Sequence, residues 1–128
     1  MKKIETTKAP KALGPYSQAV KISHRSLVFI SGQLPLDPKT GKLVEGDMKV
    51  LTKQVFKNLA AILEESQSGF EKVLRCDVFM TDLKQFQTMN EEYSKYFNAA
   101  CPPARQTIQV AALPLGASIE ISCIAVAD

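Results

Sequence analysis

The chain is 128 residues long, 45% hydrophobic and 23% charged, with a formal net charge of +3, which suits one globular domain and argues against disorder. Its 16 Lys and Arg are interleaved with 13 Asp and Glu along the whole length, unlike the gathered basic face of a nucleic-acid binder. No apolar run approaches the ~18 residues of a membrane span, and the opening MKKIETTKAP lacks the apolar stretch of a secretory leader.

Residues 18–22 and 27–31 are short strand candidates around the polar turn SHRS and read as a β-hairpin. Gly32 ends the second of them, and Pro35, Pro38, Gly41 and Gly46 punctuate the loop that follows. Asp47 is placed to cap a helix over 48–68, in which Leu51, Val55, Leu59, Ile62 and Leu63 form one apolar stripe and Gly69 is the stop. A strand over 73–80 alternates Leu74, Cys76, Val78 and Met80 on one face with Arg75 and Asp77 on the other. Thr81 or Asp82 then caps a second helix over 84–98 with Phe86, Met89, Tyr93 and Phe97 inward, where Asn90 and Tyr93 read as capping or packing residues. Pro102 and Pro103 break the chain before strands over 104–110 and 117–126. Strands, helix, strand, helix and strands make a single α+β domain over residues 1–128. Its sheet is mixed but mostly antiparallel, with both helices on one face and the other face left to solvent or a second subunit.

The three cysteines, Cys76, Cys101 and Cys123, have no paired spacing. Two of them fall in apolar strands as small core residues, which fits a reducing, cytoplasmic compartment. His24 is the single histidine and sits in a polar turn, with no second histidine or cysteine pair beside it. A zinc site is therefore not expected, and a Ser-His-Asp or Cys-His arrangement would have to recruit that turn residue. The run DPKTG is a turn, since the spacing of a phosphate loop is missing.

One residue is out of character. Glu120 stands alone in ASIEISCIAV, and a buried carboxylate is costly unless it is paired or used. If the last two strands form a hairpin, Gln109 lies opposite Glu120 and Arg105 is about 14 Å further along. The two charges would then meet only through a ligand in a shared cleft, not directly. Arg105, Thr107 and Gln109 share one strand face, and Ser118, Glu120 and Ser122 share another. On pattern alone, two readings stand: ordinary surface ion pairs, or an arginine clamp for a carboxylate with a glutamate acting on water or a proton.

The blocks GPYSQAV, ISGQLPLDPKTGKLV, DVFMTDLKQFQTMNEEY and PPARQTIQVAALPLGASIEI resemble, in order and spacing, the Rid/YjgF family of reactive-intermediate deaminases, and most closely its RidA subfamily. The resemblance runs from Gly14 to Val126. It implies a chorismate-mutase-like fold assembled as a homotrimer with clefts between subunits. It also implies cofactor-independent hydrolysis of 2-imino acids and their enamine tautomers, such as 2-aminoacrylate, to 2-keto acids and ammonia, with no metal. Carried over by position, Arg105 holds the substrate carboxylate, Glu120 directs water or a proton, and Tyr16 lines the cleft and contributes its hydroxyl as a third catalytic residue. Ser31, Gly32 and the backbone at Thr107 border the substrate. Several RidA proteins have cysteine where this chain has Thr107, so no role here rests on a thiol at that position. Gln106, where they carry a small residue, bears on packing or assembly. Two further readings are a small keto- or imino-acid binding module without turnover and an endoribonuclease, an activity ascribed to relatives. The mild charge and the lack of a histidine pair speak against the latter.

Overall fold

The computed structural model describes residues 26–127, residue 15, and the backbone of Lys2–Ile4 and Ala19–Lys21. These last two segments, β1 and β2, pair antiparallel with each other. The 18–22 strand therefore finds its partner at Lys2–Ile4 rather than at the following strand, against the hairpin expected around SHRS. Closeness in sequence proposes a partner for a strand, but the backbone ladder can be completed by any extended segment that reaches it. His24 lies outside the described residues.

The first helix, α1, spans Met48–Glu65, and the Asp47 side chain accepts a hydrogen bond from Val50 N at its start. Its end differs from the expected Gly69 stop. Gln67 takes the left-handed conformation (φ 54°), Gln67 N donates to Glu64 O, and Ser68 N donates to Leu63 O. That is the Schellman closure with glutamine at the position glycine usually holds. The apolar stripe of α1 faces inward as its spacing predicts, with Val55, Phe56, Leu59 and Leu63 buried.

Four strands, β3 (Ser26–Gln33), β4 (Val73–Met80), β5 (Ala104–Gln109) and β6 (Ile119–Ala127), form a mixed sheet in the order β3-β6-β4-β5. The pairs β3–β6 and β6–β4 are antiparallel, whereas β4–β5 is parallel. A parallel pair needs a crossover, and the second helix, α2 (Phe86–Tyr93), supplies it. The predicted helix over 84–98 is thus shorter, flanked by 3₁₀ turns at Leu83–Gln85 and Ser94–Tyr96, with the Asp82 side chain accepting from Lys84 N.

Both helices lie on one face of the sheet. Ile30, Cys76, Val78, Met80, Ile119, Ile121 and Cys123 point from the strands into a core closed by α1 and α2. In β4 the alternation shifts at a bulge near its start, so Val73, not Leu74, is buried. An aromatic cluster fastens the helices together: Phe56 of α1 stacks on Tyr96 at 4.1 Å and meets Tyr93 edge-on at 5.5 Å. Such contacts contribute about 0.5–1.5 kcal/mol each beyond area burial, and they fix where α2 stands beside β5.

Among the described residues, no helix covers the opposite face of the sheet. Phe29 pairs with Ile124 there, and Phe79 lies between Ile108 and Glu120. Phe29 is 72% exposed and Ile108 43%. Arg75 and Asp77 form an ion pair on this face, with Nε and Nη2 each 2.9 Å from Asp77 Oδ1.

Candidate active site

The hairpin expected between the last two strands is absent, because β4 lies between β5 and β6. The connection over 110–118 instead crosses the end of β4, where Val110 N donates to Met80 O and Thr81 N donates to Ser118 O. This corrects the expected relation of Arg105 to Glu120. Arg105 is level with Cys76 and Cys123, while Glu120 is level with Phe79 and Ile108. The two backbones are therefore separated by two strand spacings across and three residues along, roughly 10 Å each way. They also face opposite sides: Arg105 shares the side of buried Cys76 and Val78, whereas Glu120 stands between the inward-facing Ile119 and Ile121 and points away. Within one copy of the chain, no small ligand on either face could touch both.

On the helix side, Arg105 is held rather than merely present. Its Nη1 donates to Asn90 Oδ1 at 2.6 Å, and its Cζ lies 4.7 Å from the Tyr93 ring centroid and 5.6 Å from that of Phe86. All three partners come from α2, at the spacing of one helix face. A guanidinium stacked on aromatic rings keeps its charge and presents its planar donors in a fixed direction. Asn90 and Tyr93, read from sequence as capping or packing residues, are thus the side chains that orient Arg105. The signal available in the sequence was their spacing from Phe86, which puts a polar group and two rings on one face.

Beneath this platform nothing is ready to act as a nucleophile. Burial pushes the Tyr93 hydroxyl and the neighbouring Cys76 thiol well above their usual values, and the Arg105 charge offsets this only in part. Burial likewise raises the Cys123 thiol to about 12. Cysteines held so strongly protonated are inert at neutral pH. Thr107, two residues along from Arg105 on the same face of β5, has a buried hydroxyl with no hydrogen-bond partner among the described residues.

Glu120 belongs to a different neighbourhood. Between Ile30 and Gln33 the pairing of β3 with β6 slips, and in that irregularity Ser31 and Gly32 are exposed. A Cβ built on Gly32 would lie 2.6 Å from Glu120 Cδ and 2.9 Å from both Cγ and Oε1, so the glutamate side chain lies directly against the glycine backbone. Ser31, Gly32 and Glu120 are brought together, Arg105 and Thr107 are brought together, and the two groups are kept apart. Tyr16, the remaining residue singled out from sequence, lies outside the described residues. A separate groove of about 580 Å³ runs between α1 and the loop after β3, lined by Gln33, Lys39, Gln54, Lys57 and Asn58 among others. Asn58 and Gln54 use their amides there to bind the carbonyls of Leu34 and Leu36, which pins the loop.

Residues 6–127 match the model of a family described as endoribonuclease L-PSP. The chain is 52% identical over 122 residues to Reactive Intermediate Deaminase A, chloroplastic, of Arabidopsis thaliana, covering 95% of this chain and 64% of that protein. It is 47% identical over 125 residues to 2-iminobutanoate/2-iminopropanoate deaminase of Mus musculus, covering 98% and 90%. Among solved structures, E. coli TdcF with bound serine matches with a TM-score of 0.74 at 38% identity, over the whole of both chains. Among the described residues no helix is long and apolar enough to cross a membrane.

Proposed function

The chain belongs to the endoribonuclease L-PSP family, which is the Rid/YjgF family, and we propose that it is a cytoplasmic, cofactor-independent deaminase. Its substrates are 2-imino acids and their enamine tautomers, which it hydrolyses to 2-keto acids and ammonia. The observation that carries this reading is the orientation of Arg105, fixed by Asn90 and two aromatic rings, in a chain about half identical to proteins named as deaminases of such substrates.

In the reaction, the planar Arg105 fork takes both oxygens of the substrate carboxylate. Ser31, Gly32 and the backbone of Thr107 border the substrate, and Tyr16 lines the cleft. Glu120 receives a proton from water as the water oxygen bonds to the imine carbon. It returns that proton to the nitrogen of the resulting carbinolamine, and as the carbon–nitrogen bond breaks the hydroxyl proton passes back to Glu120, leaving a keto acid and ammonia. An iminium carbon is already electrophilic, so positioning accounts for most of what the protein must supply. An enamine needs one prior proton at its terminal carbon to reach the same imine.

Because Arg105 and Glu120 face opposite sides of one sheet, the reading requires Arg105 of one copy and Glu120 of another. A ring of three copies provides equivalent clefts of that kind, and the exposed Phe29 and Ile108 give the open sheet face an apolar surface to cover. The test is to generate 2-aminoacrylate from serine with a pyridoxal-phosphate-dependent dehydratase and time the loss of the imine signal. The chain accelerates that loss over buffer, and Arg105→Ala abolishes the acceleration. Equal rates with and without the chain would sink the proposal. Binding without turnover would leave the rate at that of buffer, and RNA cleavage would have to survive nuclease removal and depend on named residues.

A further inference from the structure

We infer that Gly32 is a positioning residue whose missing side chain sets the direction of the Glu120 carboxylate. The inference rests on the role proposed above for Glu120, and its geometric part stands without it. Glu120 is anchored by antiparallel pairing of β6 with β4, where it stands opposite Phe79. Its side chain then leaves the sheet on the face away from the helices and runs across the slipped segment between Ile30 and Gln33. A methyl group on residue 32 would occupy space now held by three atoms of that side chain, at 2.6 Å from Cδ and 2.9 Å from Cγ and Oε1. Carbon atoms in contact sit about 3.5–4.0 Å apart. Ile30 and Gln33 on either side of Gly32 pair with β6, and Glu120 itself pairs with β4, so the flexible glutamate side chain is the partner that gives way. The carboxylate would turn off its present line by an amount that matters to proton transfer, which needs heavy atoms within about 2.6–3.2 Å.

Gly32 makes no left-handed turn that would require glycine, so backbone strain does not explain the residue. Its use is the room it leaves. This separates two ways in which the position could matter: through its own backbone against the substrate, or through the glutamate lying on it.

The experiment is a cycle of Gly32→Ala, Glu120→Ala and the double variant, measured for imine hydrolysis and thermal midpoint. The expected result is a fall in kcat of about 10–100-fold for Gly32→Ala. KM should change by no more than about threefold, since the substrate carboxylate is held by Arg105 of another copy, and the thermal midpoint by less than about 3 °C. In the Glu120→Ala background the same substitution is silent, because the side chain it displaces is gone. A further loss in that background, or an unchanged kcat in the single variant, overturns the inference. If Glu120→Ala hydrolyses imine at the full rate, the proposed role of Glu120 fails instead. The ¹³C resonance of the Glu120 carboxyl then still decides the geometry: it moves in Gly32→Ala if the glycine positions the carboxylate, and unchanged it overturns that too.

Discussion

A guanidinium stacked on a ring and tied at one nitrogen has lost most of its side-chain freedom before any ligand arrives, so less ordering remains to oppose binding. Arg105 is in that state, and Asn90 is the part of it that can be removed without touching the charge. Asn90→Ala should leave Arg105 stacked on Tyr93 but less firmly held in direction. The expected result is a rise in KM for the imino acid of about tenfold, as for loss of one hydrogen bond to a charged group, with kcat changed much less. Steady-state kinetics on imine generated in place would check it, and an unchanged KM would remove Asn90 from the substrate side of the site. The sequence made Arg105 and Glu120 legible as types, one a planar anion binder and the other a carboxylate out of place. It did not make their supports legible, because Asn90 reaches Arg105 across 15 residues and Gly32 reaches Glu120 across the sheet. Neither link leaves a local periodic trace.

At the level of elements, α1 and β4 could be read almost residue by residue, since a stripe at helical spacing and an alternation of two are both local signals. The partner of β5 could not. A strand's own pattern states which residues face in, and it is silent on whether the neighbour is the next strand or the previous one. The apolar spacing also overstates the length of α2, and Glu92 helps explain its shape. It is buried at the end of α2, with Oε2 accepting from Lys95 Nζ at 2.7 Å and Oε1 from the Tyr96 hydroxyl at 3.1 Å. Both partners lie in the 3₁₀ turn that replaces a continued helix. Burial alone would raise the Glu92 carboxyl, but these hydrogen bonds and the lysine charge outweigh it and hold the group below its usual value. A carboxyl lowered in the folded state stabilises the fold at neutral pH and loses that contribution as pH falls through its folded value. Lys95 is largely exposed, so solvent screening keeps the effect to about 1 kcal/mol or less. Glu92→Gln should therefore be less stable than the parent near neutrality, with the gap closing in acid. Urea unfolding at about pH 7 and about pH 3, at fixed protein concentration, measures both ends. A gap that stayed constant across that range would mean that the charge of Glu92 contributes nothing.

For the whole molecule, the sheet is the dividing wall. One face is closed by helices and carries Arg105; the other carries Glu120 with Phe79 and Ile108 next to it and Phe29 further along, and among the described residues no helix lies over it. A wall of this kind cannot bring its two sides together, so a reaction using both residues depends on how copies meet. That dependence can be measured by complementation. Arg105→Ala and Glu120→Ala are each expected to keep only a small residual activity as pure proteins. Unfolded together and refolded as a mixture, they form some clefts in which an Arg105 from one variant faces a Glu120 from the other. With random mixing at equal amounts, about a quarter of the clefts in a ring are intact, and activity should return to about that fraction of the parent. Co-refolding is needed, because subunits that exchange slowly would hide the effect in a simple mixture. Recovery near a quarter would fix the site between copies, whereas no recovery from properly mixed oligomers would mean that both residues serve one cleft from a single chain. The latter would require a rearrangement of the β4–β5–β6 register itself, since no side-chain movement carries Arg105 through the sheet.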